Sequence, residues 1–213
     1  MAEDDFETYF HRRARRFSAF YASETVARGL GRGPMFDRLR LAAQLSLSLE
    51  PTRVLDVGCG SGPLFAELAP RGVRITGIDP AAAMIELATK EAAKYGDLVE
   101  LRQLAWEDLG AVDEYEVAVA LGVFDYVSEP AQLLERMNRA ATHVIGSFPS
   151  PGLRLELRKI RYGARGVNVH GYTNVDFLRL ANEVGLDVVD RIPLGNAGYV
   201  VHFRRRTPID LAA

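Results

Sequence analysis

Three glycines, Gly58, Gly60 and Gly62, stand at alternate positions in the stretch VLDVGCGSGPLF, between an apolar run and a helical pattern. Glycine accepts positive φ and puts no side chain between the backbone and what it approaches, so the spacing is that of a turn built around a ligand. Phosphate ligands fit poorly. A dinucleotide turn needs G-x-G-x-x-G, and that register runs Gly58, Gly60 and then Pro63, without its third glycine. A P-loop needs G-K-[ST] after its glycines, and none follows. Two carboxylates accompany the turn: Asp56 inside the first apolar run, and Asp79 at the end of the second. Asp79 could accept hydrogen bonds from a ligand or simply cap the helix that begins near Pro80.

The remaining reactive side chains are few. Cys59 is the one cysteine, so the chain forms no internal disulfide and no thiolate metal cluster. With no base beside it, it reads as a small loop residue and not a nucleophile. His11, His143, His170 and His202 are well separated, and no metal-ligand spacing is present. A formal net charge of -2 gives no whole-molecule field towards nucleic acid or anionic lipid. No apolar run approaches bilayer length, and the N-terminus MAEDDFETYF is acidic where a secretory signal is basic and then apolar. A cytoplasmic protein is expected.

The elements that position these residues follow from patterning. The runs RVLDV, VRITGI, LVELRQ, YEVAVAL and THVIGSF alternate with helical patterns, the signature of βαβ units and a parallel sheet. Apolar residues three or four apart mark the helices: Ile85, Ala88 and Ala92; Leu133, Met137 and Ala140; Phe177, Leu180 and Val184. Pro80 and Pro130 suit first turns, Thr173 suits an N-cap, and Gly185 a helix end. LDVVDRI and YVVHFR, joined through PLGNAG, predict a hairpin and hence an antiparallel last strand. With 213 residues, a single domain is expected, divided into N-terminal helices (1–50), a ligand-binding half (53–149), a basic insertion (150–172) and a C-terminal helix and hairpin (173–206). In the N-terminal part, FETYFHRRARRFSAFYAS is a packing helix or a lid with solvated arginines. PMFDRLRLAAQLSLSLEP is a packing helix with Phe36, Leu39, Ala43 and Leu47 on one face. The insertion carries Arg154, Arg158, Lys159, Arg161 and Arg165 against Glu156. Its simplest reading is an amphipathic surface helix with solvated arginines; the alternative is a cover over a pocket.

VLDVGCGSGPLFAELAPRG followed by ITGIDPAAAMIELA resembles the first two motifs of the class I S-adenosylmethionine-dependent methyltransferases, and the likeness extends loosely from about Arg53 to Phe203. It implies an α/β fold: a doubly wound, seven-stranded, mostly parallel sheet with an antiparallel last strand. The implied cofactor is S-adenosylmethionine. Asp79 would meet the ribose hydroxyls, and Asp56 with Gly58, Cys59 and Gly60 would meet the methionine part. Pro80 and Met84 would flank the adenine, with Ala105 and Trp106 on its other side. Where many relatives place an acid for the adenine amino group this chain has Ala105, so Glu107 or a backbone group substitutes or the contact is missing. Trp106 is equally readable as core. Leu121 and Gly122 would line the amino acid end, and Asp125 and Tyr126 would face the acceptor or cap the next helix. His170, Tyr172, His143 and Asp125 are candidate bases, His170 ranking above His143 because it precedes a helix at the ligand end of the sheet.

YFHRRARRFSAFYASETV and LGVFDY are also similar to magnesium-protoporphyrin O-methyltransferases, a short likeness that implies a small-molecule acceptor with an acidic group. The expected activity is methyl transfer to such a molecule, at oxygen before nitrogen, by a monomer or homodimer with no nucleic-acid partner. The N/D-P-P-[YF] signature of amino methylation is absent. The alternatives are a non-catalytic cofactor-binding regulator, a protein methyltransferase and an NAD-dependent oxidoreductase.

Overall fold

The structure is a computed structural model and describes residues 14, 24–110, 114–164 and 166–207. Two helices, α1 (Glu24–Gly29) and α2 (Gly33–Ser48), precede the sheet. Then follow β1 (Arg53–Val57), α3 (Phe65–Leu68), β2 (Arg74–Asp79), α4 (Ala82–Ala92), β3 (Val99–Gln103) and β4 (Tyr115–Ala120). The second half runs α5 (Pro130–Ala140), β5 (Ala141–Phe148), α6 (Leu153–Gly163), α7 (Asn174–Glu183), β6 (Leu186–Pro193) and β7 (Tyr199–Arg205). The arginine-rich stretch ahead of α1 lies, apart from Ala14, outside the described residues. Ala14 is buried against Ala81 and Met84.

The sheet has seven strands in the order β3-β2-β1-β4-β5-β7-β6. β1 pairs in parallel with β2 and β4, and β7 runs antiparallel to both β5 and β6. This is the expected doubly wound sheet with its reversed last strand. The chain order reverses direction at β1 and β4, and such a switch point opens a crevice at the carboxyl ends of the strands.

Successive side chains on the inner strands point to opposite faces, so both faces are packed. Leu55, Val57, Ala118 and Val144 join Phe124, Phe148, Phe177 and Phe203 on one side. Val54, Ile75, Val117 and Ile145 join Phe65, Leu68, Leu39 and Ala43 on the other. Local signals set the ends of the elements. Thr173 caps α7 in a capping box, its hydroxyl accepting from the Asp176 amide and its own amide donating to the Asp176 carboxylate. The helix after the glycine turn is a single turn, because Pro70 ends it in a 3-10 segment, Ala69–Arg71.

The three glycines of the turn have φ of 67° at Gly58, 57° at Gly60 and 80° at Gly62. They serve different purposes. A Cβ on Gly62 would lie 2.3 Å from the ring of the fully buried Phe65, whereas one on Gly60 would meet nothing within 4 Å. Gly62→Ala should therefore lower stability by about 2 kcal/mol or more, through strain and overpacking together. Gly60→Ala should cost about 1 kcal/mol from backbone strain alone. Denaturant melts of the two variants check the order, and equal losses would show that the Phe65 contact does not constrain the turn.

Candidate active site

A cavity of about 340 Å³ opens at the carboxyl ends of β1, β2, β4 and β5. The glycine turn forms one wall, and Asp79 holds the turn in place. The Asp79 carboxylate accepts from the Gly60 amide at 3.0 Å and from the Ala81 amide at 2.9 Å, and the Cys59 amide donates to the carbonyl of Ile78 at 3.0 Å. Asp79 is buried, accepts from the Ala81 amide just ahead of α4, and lines the cavity. Pro80, Met84, Leu104 and Trp106 make the apolar wall beside it.

Of the residues singled out in the sequence, Gly58, Gly60, Asp79, Pro80, Met84, Trp106, Leu121, Gly122, Asp125 and Tyr126 line this cavity. Asp56, Cys59, Ala105, Glu107 and His170 do not. Cys59 packs in the core against Gly77, and burial pushes its thiol up, so it stays protonated. His170 is tied to the site through its backbone, its amide donating to the carbonyl of Asp125 at 2.8 Å. Burial and then Lys159 lower its pKa. Tyr172 is committed elsewhere, its hydroxyl donating to the carbonyl of Phe124 at 3.0 Å. His143 and His202 face one another across β5 and β7, ring nitrogens 2.9 Å apart, and burial pushes His202 down to about 4.

The opposite end of the cavity is polar. Asp125, 6% exposed, accepts from Arg158 at 2.5 Å, and Arg158 also donates to the Tyr126 hydroxyl at 3.4 Å. The Arg158 guanidinium lies 6.0 Å from the centre of the Tyr126 ring and 5.8 Å from that of Tyr162. Burial, and then the Asp125 charge, push the Tyr126 phenol far above its ordinary value, so it keeps its proton and acts as a donor. Burial opposes the charge on Arg158, but Asp125 more than offsets it and holds the guanidinium cationic.

Several lining residues were not legible as such in the sequence. Ser147 on β5 accepts from the Gly122 amide at 2.7 Å and steadies a positive-φ turn. Arg38 of α2 packs its guanidinium 2.8 Å from where a Gly122 Cβ would sit. A lone serine within a buried strand and an arginine on the apolar side of a helix are the signals that were available. Among the described residues, no group of three or more His, Cys, Asp or Glu is placed to hold a metal ion, and no helix is long and apolar enough to cross a membrane.

A family model for a methyltransferase domain matches residues 11–191 of the chain. The chain belongs to that methyltransferase family. The magnesium protoporphyrin IX methyltransferase of Synechocystis is similar in fold over 97% of this chain and 100% of that one, with a TM-score of 0.79 at 19% identity. The 1,6-didemethyltoxoflavin-N1-methyltransferase of Burkholderia thailandensis is also similar in fold, with a TM-score of 0.66 at 18% identity, over 91% of this chain and 90% of that one. Among curated proteins, the ubiquinone biosynthesis O-methyltransferase of Alkalilimnicola ehrlichii is 36% identical over 115 residues, 52% of this chain and 47% of that protein. That of Methylocella silvestris is 39% identical over 84 residues, 39% of this chain and 33% of that protein. The chain thus spans about half the length, or less, of the curated relatives it matches.

In this methyltransferase domain the Asp56 carboxyl responds strongly to its surroundings. Burial first, and then the Asp79 charge, push its carboxyl up from 3.8 to about 7. Because the folded pKa is the higher one, the native protein binds more protons between these values than the unfolded chain does. The resulting stability is complete below about pH 4 and is lost as pH rises through about 7, a change on the order of 4 kcal/mol. Asp56→Asn should remove this slope. Denaturant midpoints of the ligand-free protein between about pH 5 and about pH 8 measure it, and an undiminished slope in the variant would assign the titration to another group.

Proposed function

We propose that the chain is an S-adenosylmethionine-dependent methyltransferase that transfers a methyl group to a small-molecule acceptor, at oxygen. The observation that carries this reading is a single cavity with two unlike ends: a glycine turn clamped by Asp79, and the Asp125–Arg158–Tyr126 cluster. The residues fit the cofactor. Gly58 and Gly60 present backbone at positive φ, and Gly60 faces open space where any side chain would intrude. The Asp79 carboxylate lines the cavity, and an acceptor-only group there suits a ribose diol. Pro80, Met84 and Trp106 offer apolar surface to an adenine. Arg38, against Gly122, suits the methionine carboxylate, and the Asp79 carboxylate suits a ligand that carries an ammonium and a sulfonium.

When bound, S-adenosylmethionine supplies an electrophilic methyl group on sulfur that is already a good leaving group. The chain's own contribution is mostly positioning: holding the acceptor atom about 3 Å from that carbon can supply roughly 7 to 11 kcal/mol. Asp125 is the candidate to take the proton of an acceptor hydroxyl, and Tyr126 orients the acceptor as a donor. His170 supports the Asp125 segment through its backbone. The names of the ubiquinone and magnesium-protoporphyrin relatives favour a small-molecule acceptor, and the former favours oxygen. A cytoplasmic site of action belongs to the same reading.

Asp79→Ala should raise the dissociation constant for S-adenosylhomocysteine about tenfold, or about 1.4 kcal/mol, in calorimetry; an unchanged constant removes the ribose assignment. Tyr126→Phe should lower turnover and leave cofactor affinity intact, and parallel loss of both would make Tyr126 structural. The reading as a whole is tested by following S-adenosylhomocysteine formation against a panel of phenols and carboxylic acids. Tight cofactor binding without turnover on any of them would leave a binding protein instead.

A further inference from the structure

Helix α6 lies over the cavity but is lightly attached to the body of the protein. Leu155 alone is buried from it, filling the space beside Gly171, while Leu153, Leu157 and Ile160 point outward and are 77%, 59% and 73% exposed. Gly152, at φ 147°, precedes the helix, and Gly166, at φ 75°, follows it. The return leg of the insertion is anchored more firmly. Val167 and Val169 are buried, the Tyr172 amide donates to the carbonyl of Pro149 at 2.8 Å, and the His170 amide donates to that of Asp125 at 2.8 Å. An element with little apolar burial, set between glycines and tied down at its base, belongs to the low-stability end of a fold, from which hinged covers are drawn.

Arg158 fastens this helix to the site. It donates to Oδ2 of the buried Asp125 at 2.5 Å and stands beside the rings of Tyr126 and Tyr162. A pair withdrawn from water in this way is sensitive to the charge on its partner. Neutralising the acid leaves the guanidinium desolvated without that counter-charge, and an outward swing of the helix returns it to water. We infer that α6 is a gate on the cavity and that its latch is the candidate base: Arg158 holds the helix shut on the charged Asp125 carboxylate, and the acceptor's proton on that carboxylate releases it. Oδ2 is engaged by Arg158, so Oδ1 is the oxygen that takes the proton. The acceptor's O–H bond breaks, and its oxygen bonds the methyl carbon as the carbon–sulfur bond of S-adenosylmethionine breaks. That bond's electron pair stays on sulfur, and the proton passes from Asp125 to water once the helix has opened. Closure thus belongs to the charged acid that is ready to react, and opening to the state that follows transfer.

The source of the proton rests on the methyltransferase reading; the latch does not. Asp125→Asn keeps the shape of the side chain and removes its charge, as protonation does, and Arg158→Gln removes the other partner. In the ligand-free full chain, both variants should exchange the amide hydrogens of α6 about tenfold faster or more, with those of α7 unchanged. Stopped-flow mixing with S-adenosylhomocysteine is followed through Trp106, the one tryptophan and a cavity-lining residue. Association and dissociation should both accelerate about fivefold or more, with affinity changed less than about threefold. Glu156→Gln, which removes the exposed pair with Lys159 on the same helix, should alter neither measurement. Should Arg158→Gln fail to fold, Arg158→Lys, which keeps the charge without the planar fork, should give smaller shifts in the same direction. Unchanged α6 exchange in the variants, or a rise that is equal in α7, overturns the latch. Faster exchange with unchanged S-adenosylhomocysteine rates overturns the gate, and a response to the Arg158 variant without one to Asp125→Asn overturns the role of the proton. A latch that responds in a protein that does not bind S-adenosylhomocysteine would instead overturn the methyltransferase reading and leave the latch standing.

Discussion

The site depends on one clamp, the carboxylate of Asp79 between the amides of Gly60 and Ala81. These bonds tie the turn after β1 to the tip of β2, and a hydrogen bond to a charged group is worth about 1.5–3 kcal/mol. The clamp fixes backbone that only glycine adopts at ease, orients the start of α4, and presents a buried carboxylate to the cavity. It also has an electrostatic consequence. Burial first, and then the Asp79 charge, make the neighbouring Asp56 hard to ionise.

The far end of the cavity has the opposite character. Arg158 bridges α6 to the segment after β4 through Asp125, and the aromatic faces of Tyr126 and Tyr162 flank it. A cavity acidic beneath one end and with Arg158 at the other presents unlike fields at its two ends. Field complementarity of this kind acts on orientation and encounter before any chemistry begins.

The fold was largely legible because its signals are local. Alternating apolar runs and helical patterns gave the parallel sheet, and PLGNAG between two extended runs gave the reversed last strand, which pairs between β5 and β6. The glycine spacing and Asp79 were legible for the same reason. The role of the insertion was not. Its arginines read most simply as solvated, and Arg154 and Arg161 are exposed, but with Arg158 they also line the cavity, because Leu155 against Gly171 and Asp125 against Arg158 decide which way the helix turns. Those contacts join residues far apart in the chain, and helical spacing alone does not choose between faces.

The sequence by itself determined that a glycine turn follows the first strand, that an acid waits at the tip of the second, and that both sit on a doubly wound sheet. Propensity, turn chemistry and residue periodicity act over a few neighbours and are written in order along the chain. Only the tertiary structure decided that His170 touches the site through its backbone, that Tyr172 is spent on the carbonyl of Phe124, and that Arg38 and Ser147 help build the wall around Gly122. Each of those outcomes is a competition between partners brought together by folding, and burial and geometry settle it after the chain order has ceased to matter.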